Sequence, residues 1–214
     1  MSPLSYASSK VGLPAVLPCT VASHLESEHL MPHIQWQTLS DSVIERMGQE
    51  LFQGEAYRGR ADVPEEMLLR GNCSLFLQDV RFSDAGVYEG YLVVGDSSRA
   101  VKNRIFLQSV QLFVIDHKTL RSVEVGSDLV LDLHTHQAVR VVFQKSNDTS
   151  WTVLWERDGG MTKSSHLEEK ENKLVLKSVV PSSAGSYKIL DLEGVALSTV
   201  KVTVTAQAKA TRNT

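Results

Sequence analysis

The side chains able to do chemistry here fall into a few small groups. His24, His29 and His33 lie close together and alternate with Glu26 and Glu28. Such a set has the atoms to hold a metal or to titrate near neutral pH. His134 and His136 share a strand face by parity, opposite to Leu133. No spacing fixes a ligand geometry, and a solvated loop and an open polar strand face account for both groups. No metal and no cofactor is expected. Cys19 and Cys73 are the only thiols, too few for a zinc ribbon or a disulfide-dense scaffold. The chain contains no glycine-rich phosphate loop, no His-Glu-x-x-His and no Gly-x-Ser-x-Gly, so an enzyme is not expected. Modification signals remain. Asn72-Cys73-Ser74 and Asn147-Asp148-Thr149 both match the N-glycosylation acceptor, one in each half of the chain. They point to a cell-surface or secreted protein.

The elements that must position these residues are strands. The 214 residues suffice for two domains, and 42% hydrophobic with 22% charged residues is ordinary globular composition. A net charge of −3 without blocks of like charge argues against a nucleic-acid partner. The longest apolar runs are strand-sized, so any membrane attachment is expected through a segment outside residues 1–214. The first residues, Met1-Ser-Pro-Leu-Ser-Tyr, show neither a basic region nor a long apolar stretch. Hydrophobic residues alternate with period two at Ala15/Leu17/Cys19, Leu75/Leu77, Val110/Leu112/Val114, Leu129/Leu131/Leu133, Leu174/Leu176 and Val200/Val202/Val204. That pattern builds strands with one buried face. Turn signals such as 94–98 and 158–160 separate them, and no long amphipathic helix is apparent.

A weak internal repeat overlies the alternation. Val11-Gly12, Leu17-x-Cys19, Trp36, Leu75-x-Leu77 and Ser83-Asp84-Ala85-Gly86-Val87-Tyr88 are answered in the second half. There stand Val125-Gly126, Leu131-x-Leu133, Trp155, Leu174-x-Leu176 and Ser182-Ser183-Ala184-Gly185-Ser186-Tyr187. The order matches two immunoglobulin-like β-sandwiches, an all-β fold. Trp36 and Trp155 are expected to be buried tryptophans on strand C, and Tyr88 and Tyr187 to be corner tyrosines bonded to the turn backbone. The stretch between Trp36 and Tyr88 has room for the extra C′ and C″ strands of a variable-type domain, whereas that between Trp155 and Tyr187 does not. The expected organisation is a variable-type domain over 1–115, a constant- or intermediate-type domain over 116–206 and a polar tail over 207–214.

These residues resemble the immunoglobulin superfamily of cell-surface receptors, and the first domain resembles the variable domain of the B7/butyrophilin group. Leu17-Pro18-Cys19, Ile34-Gln35-Trp36-Gln37, Tyr57-Arg58-Gly59-Arg60 and Gly71–Leu77 through Tyr88 carry the resemblance. It implies an ion pair between Arg60 and Asp84 at the lower end of the sandwich; two independent surface charges are the alternative. The family's second cysteine would fall at Gly90, and both cysteine places of the second domain are apolar, Leu133 and Ile189. The family register then sets Cys73 close to opposite Cys19. A cross-strand disulfide and two buried free thiols both satisfy that placement. The resemblance also implies a ligand surface on the front sheet of the first domain. By parity Gln35, Gln37, Glu89, Tyr91 and Val93 point outward there, while Ile44, Met47 and Phe52 are open to either face. Gln37, Ile44, Met47, Glu89, Tyr91, Val93 and Arg99 are the candidate partner-binding residues. The implied partner is another cell-surface protein, possibly a second copy, in immune co-signalling. Cell adhesion through the same face is one alternative; an intracellular structural module, which the absent disulfides would suit and the sequons oppose, is another.

Overall fold

The structure is a computed structural model and describes residues 4–21, 32–95, 103–159 and 166–207. It divides into two compact units, Met1–Ile115 and Asp116–Thr214. In the first, β1 (Ser5–Lys10), β2 (Ala15–Leu17), β3 (His33–Gln37), β4 (Ser42–Met47) and β5 (Glu50–Gln53) precede β6 (Ala61–Asp62), the single-turn helix α1 (Glu65–Leu68), β7 (Leu75–Leu77), β8 (Gly86–Val94) and β9 (Asn103–Ile115). Two sheets result, of order β1-β9-β8-β3-β4-β5 and β2-β7-β6. β4 and β5 occupy the Trp36–Tyr88 interval, as the C′ and C″ strands of a variable-type sandwich do.

The core between the sheets is made by the period-two positions. Leu17, Leu75, Leu77, Val110 and Leu112 are fully buried around Trp36. The Trp36 indole N–H donates to the Cys73 carbonyl at 3.0 Å, so burying the ring leaves no donor unpaired. Tyr88 donates its hydroxyl to the Asp84 carbonyl at 2.6 Å, closing the turn four residues upstream. Arg60 forms a two-pronged pair with Asp84 at 2.8 and 3.0 Å, both side chains being nearly excluded from water. Asp84 also accepts the Arg81 backbone N–H at 2.8 Å. One carboxylate thus ties the β6 end, the turn before β8 and the guanidinium together.

Cys19 and Cys73 form a disulfide with Cα atoms 4.9 Å apart. The β2–β7 register that pairs Ala15 with Leu77 and Leu17 with Leu75 continues to set these two opposite each other. The Cys73 N–H donates to the Cys19 carbonyl at 3.1 Å. The bond lies within one sheet. β8 offers no thiol at the usual place, where Gly90 packs so close to Trp36 that a Cβ would stand 3.1 Å from the ring.

The second unit carries β10 (His117–Glu124), β11 (Leu129–Asp132), β12 (Arg140–Lys145), β13 (Thr152–Glu156), β14 (Leu167–Lys170), β15 (Lys173–Leu176), β16 (Gly185–Leu190) and β17 (Ala196–Thr205). Its sheets have the orders β10-β17-β16-β12-β13 and β11-β15-β14. Tyr187 donates its hydroxyl to the Ser183 carbonyl at 2.6 Å, repeating the corner of the first unit. Leu133 and Ile189 are fully buried where cysteines would stand. Trp155 departs from the expected place. It lies on β13, not on strand C, and Val141 of β12 holds the position that Trp36 has in the first unit. Val141 pairs with Ile189 as Trp36 pairs with Gly90, and Trp155 pairs with Val141 as Ile44 pairs with Trp36. Trp155 is buried all the same, with its indole N–H donating to Glu169 at 3.0 Å. A small aliphatic in the central strand leaves the volume that the edge-strand indole fills.

Candidate recognition face

The outward face of the six-stranded sheet gathers residues from five strands into one cross-strand row. Phe52 pairs with Glu45, Glu45 with Gln35, Gln35 with Tyr91, and Tyr91 with Phe106. A row of this kind arises because alternate residues on each strand share a face and the register aligns them. Gln37 and Glu89 are paired in one neighbouring row, Val93 and Arg104 in another.

The polar members satisfy one another. Arg104 donates to Gln37 Oε1 at 2.7 Å and Gln35 Oε1 at 3.3 Å, and its guanidinium lies 4.4 Å from the Tyr91 ring centroid. Tyr91 donates to Glu89 at 2.7 Å, and Gln35 Nε2 donates to Glu45 at 3.0 Å. His33 Nε2 is 3.3 Å from the other oxygen of Glu45. The hydrogen bond to Glu89, reinforced by partial burial and the charge of Glu89, holds the Tyr91 phenol above its ordinary pKa, against the pull of Arg104. Phe106 meets Tyr91 edge to face at 5.8 Å. The result is a braced aromatic centre whose rotamers are set before any partner arrives.

Apolar surface flanks this centre. Phe52 is 59% exposed, Met47 46% and Phe106 41%. Aromatic and methionine side chains with an arginine among them are the residue types that anchor protein interfaces. Among the described residues no group of three or more His, Cys, Asp and Glu side chains is arranged to hold a metal. His136 is exposed, and His134 stacks on His117 at 3.5 Å.

The structure places Gln37, Glu89, Tyr91 and Val93 half-buried on this face, and Met47 exposed at its edge. Ile44 is not part of it. A bulge in the β3–β4 pairing buries both Val43 and Ile44, and Ile44 turns wholly into the core against Trp36. Arg99, together with His24, His29, Glu26 and Glu28, lies outside the described residues. Phe106 and Glu45 belong to the face and are not among the sequence candidates, whereas Arg104, last residue of the 95–104 stretch expected to flank the face with positive charge, lies on β9 within it. Counting back from Val110 by twos puts Phe106 and Arg104 inside. The β8–β9 register shift at Gly90/Tyr91 adds a residue to β9 and turns them outward. The available signal was the unfavourable alternative itself, since inward parity would have buried an arginine.

No protein-family model matches the sequence. Programmed cell death 1 ligand 1 of Mus musculus is 34% identical over 80 residues, 36% of this chain and 28% of the length of that relative. The two sandwiches, each with its tyrosine corner, have the immunoglobulin fold. Solved immunoglobulin structures of similar shape include the human B7-H4 variable-like domain, 23% identical, covering 52% of this chain and 94% of that one with a TM-score of 0.42. The ectodomain of the teleost fish polymeric Ig receptor is 15% identical and covers 96% of this chain and 98% of that one, with a TM-score of 0.49. Against the usual immunoglobulin sandwich this first domain is unusual in its disulfide. The usual inter-sheet bond is replaced by a bond inside the β2-β7-β6 sheet, and the front sheet carries no covalent tie to it.

Proposed function

We propose that this immunoglobulin chain is the extracellular recognition part of a cell-surface protein and engages another cell-surface protein through the β9-β8-β3-β4-β5 face of its first domain. The role is immune co-signalling, as ligand or receptor. The observation that carries the reading is the row Phe52–Glu45–Gln35–Tyr91–Phe106, an exposed aromatic surface with its polar neighbours already paired. The relative it matches in part is by name a ligand of programmed cell death 1, which supports co-signalling over other forms of recognition. On docking, Phe52, Phe106 and Met47 would lose water while the Tyr91–Glu89 and Arg104–Gln37 contacts stay intact. Ordering costs at the centre are therefore small. The second domain acts in this reading as a spacer, and Asn72 and Asn147 carry glycans.

A binding screen of the purified chain against cell-surface ectodomains tests the proposal. Phe52→Asp and Phe106→Asp are each expected to weaken any partner at least tenfold, as loss of an interface anchor does. Phe113→Asp, at the far end of β9, is expected to leave binding unchanged. A partner that tolerates both of the first two substitutions would bind elsewhere, and the assignment of the face would fall.

A further inference from the structure

The outward face of the second unit's larger sheet has a different chemistry. From β10 to β12 its cross-strand rows read Leu120–Lys201–Ser186–Gln144 and Lys118–Thr199–Lys188–Val142. A shallow groove crosses the first row, lined among others by Arg121, Ser122, Lys145, Ser146, Lys201 and Thr203. Among the described residues, Arg121, Lys145, Lys188 and Lys201 make no ion pair within 4.0 Å. Lys188 is held over the Trp151 ring at 4.8 Å.

Three acidic side chains of this sheet have partners, while Glu124, at the end of β10, stays exposed. Glu156 pairs with Arg140 at 2.7 Å, Asp116 lies 4.0 Å from Lys118, and Asp148, on the groove rim, accepts the Ser150 backbone N–H at 3.1 Å. Other acids of the unit sit at the opposite sheet, where Asp128 and Glu168 share Lys177. Lys188 and Lys201, in the middle of this sheet face, are thus left without a carboxylate within 4.0 Å.

Residue type decides what such a face fits. Lysine and serine are the residues depleted from protein–protein interfaces, and the middle of this face is lysine, serine and threonine, with the Trp151 ring beside it lying under Lys188. Lysines are mobile point charges without the planar fork that grips single carboxylates. Lys118 and Lys188 flank β17 at about 10 Å, two inter-strand spacings, with Lys201 displaced about 7 Å along the strand. Separated point charges with hydroxyl donors between them suit a linear polymer bearing repeated anionic esters.

We propose that this sheet face binds a sulfated glycosaminoglycan. The inference shares only its extracellular setting with the proposed function and does not depend on the recognition face of the first domain. The test is retention of the full chain on immobilised heparin and titration with a size-defined heparin oligosaccharide. Both are done after enzymatic removal of N-glycans, because Asn147 lies in the turn beside Lys145. Affinity should fall linearly in log–log form with salt, with a slope of about 2–3 for three or four engaged cations. Lys188→Glu/Lys201→Glu should weaken binding at least tenfold with unchanged melting temperature. Lys170→Glu/Lys173→Glu, on the opposite sheet, should leave it unaltered. Phe52→Asp should also leave it unaltered, which separates this result from that of the protein-recognition screen. Equal losses in the two lysine pairs, or no retention at physiological salt, would overturn the proposal. Binding of size-matched single-stranded DNA as tight as heparin would overturn its assignment to a sulfated glycan.

Discussion

Removing the Cys19–Cys73 bond should cost the first domain a large part of its stability, and the amount follows from chain entropy. The bond closes a loop with a sequence separation of 54. Loop closure of that length removes roughly 4 kcal/mol of conformational entropy from the unfolded chain at 25 °C. A domain of this size has about 5–15 kcal/mol in total, so the loss amounts to a melting-temperature drop of roughly 15–30 °C. The assay is denaturant unfolding of the wild type and of Cys19→Ala/Cys73→Ala. Trp36 reports on the first domain, and Trp151 with Trp155 on the second. The second domain contains no cysteine and serves as an internal reference whose transition must not move. The denaturant slope of the first transition should rise, because the unlinked chain exposes more surface on unfolding. A loss below about 1 kcal/mol with an unchanged slope would refute the entropic reasoning. Adding Gly90→Cys to Cys73→Ser, which offers Cys19 the superfamily's usual partner, should not rescue the fold. The new Cβ would press on the Trp36 ring at 3.1 Å.

Three further outcomes are expected. Asp84→Asn should destabilise the first domain by about 3–5 kcal/mol, since it leaves the buried Arg60 charge without its counter-ion, and Arg60→Lys should fail to restore the two-pronged pair; urea midpoints measure both. Burial pushes the Tyr187 hydroxyl up to about 12, and burial drives that of Tyr88 higher still. A raised folded-state value favours the neutral form, so this stability is whole below pH 10 and drains between about pH 10 and 12; tyrosinate absorbance and tryptophan emission should change together there, and early tyrosinate signal from both residues in folded protein would contradict it. In secretory cells Asn147 should carry glycan more fully than Asn72. Residues 145–150 are all exposed, whereas Asn72 holds the Ser74 N–H and the Ser74 hydroxyl accepts the Cys19 N–H; site occupancy by mass spectrometry decides this.

What could be read from the sequence was what depends on unbroken alternation. The β2–β7 register runs without a bulge, so parity turns Cys73 inward and the family register sets it near Cys19, and the register of the folded chain agrees. The two tyrosine corners were legible because each is a local bond from a hydroxyl to a carbonyl four residues back. Parity misleads where a strand gains a residue. One bulge in β4 sent Ile44 inward, and another in β9 sent Phe106 and Arg104 outward. Trp155 misled for a different reason. Tryptophan identity points to strand C, but burial of a large ring is a property of volume, and Val141 with Trp155 behind it fills the same kind of core as Trp36 with Ile44.

These departures bear on one another. With Gly90 beneath Trp36, the ring lies flat on β8 and its indole N–H reaches the Cys73 carbonyl, so the tryptophan bridges the two sheets where a disulfide otherwise would. The covalent bond stiffens only the β2-β7-β6 sheet, whose acceptor carbonyl it fixes for that indole. Trp36 is flanked on β3 by Gln35 and Gln37, both of which hold Arg104 over Tyr91. The disulfide, the indole and the front-sheet row therefore form one mechanical chain. A change at Gly90 should reach the recognition face through this chain, because a Cβ there stands 3.1 Å from the Trp36 ring and either the ring or the strand that carries Glu89 and Tyr91 must give.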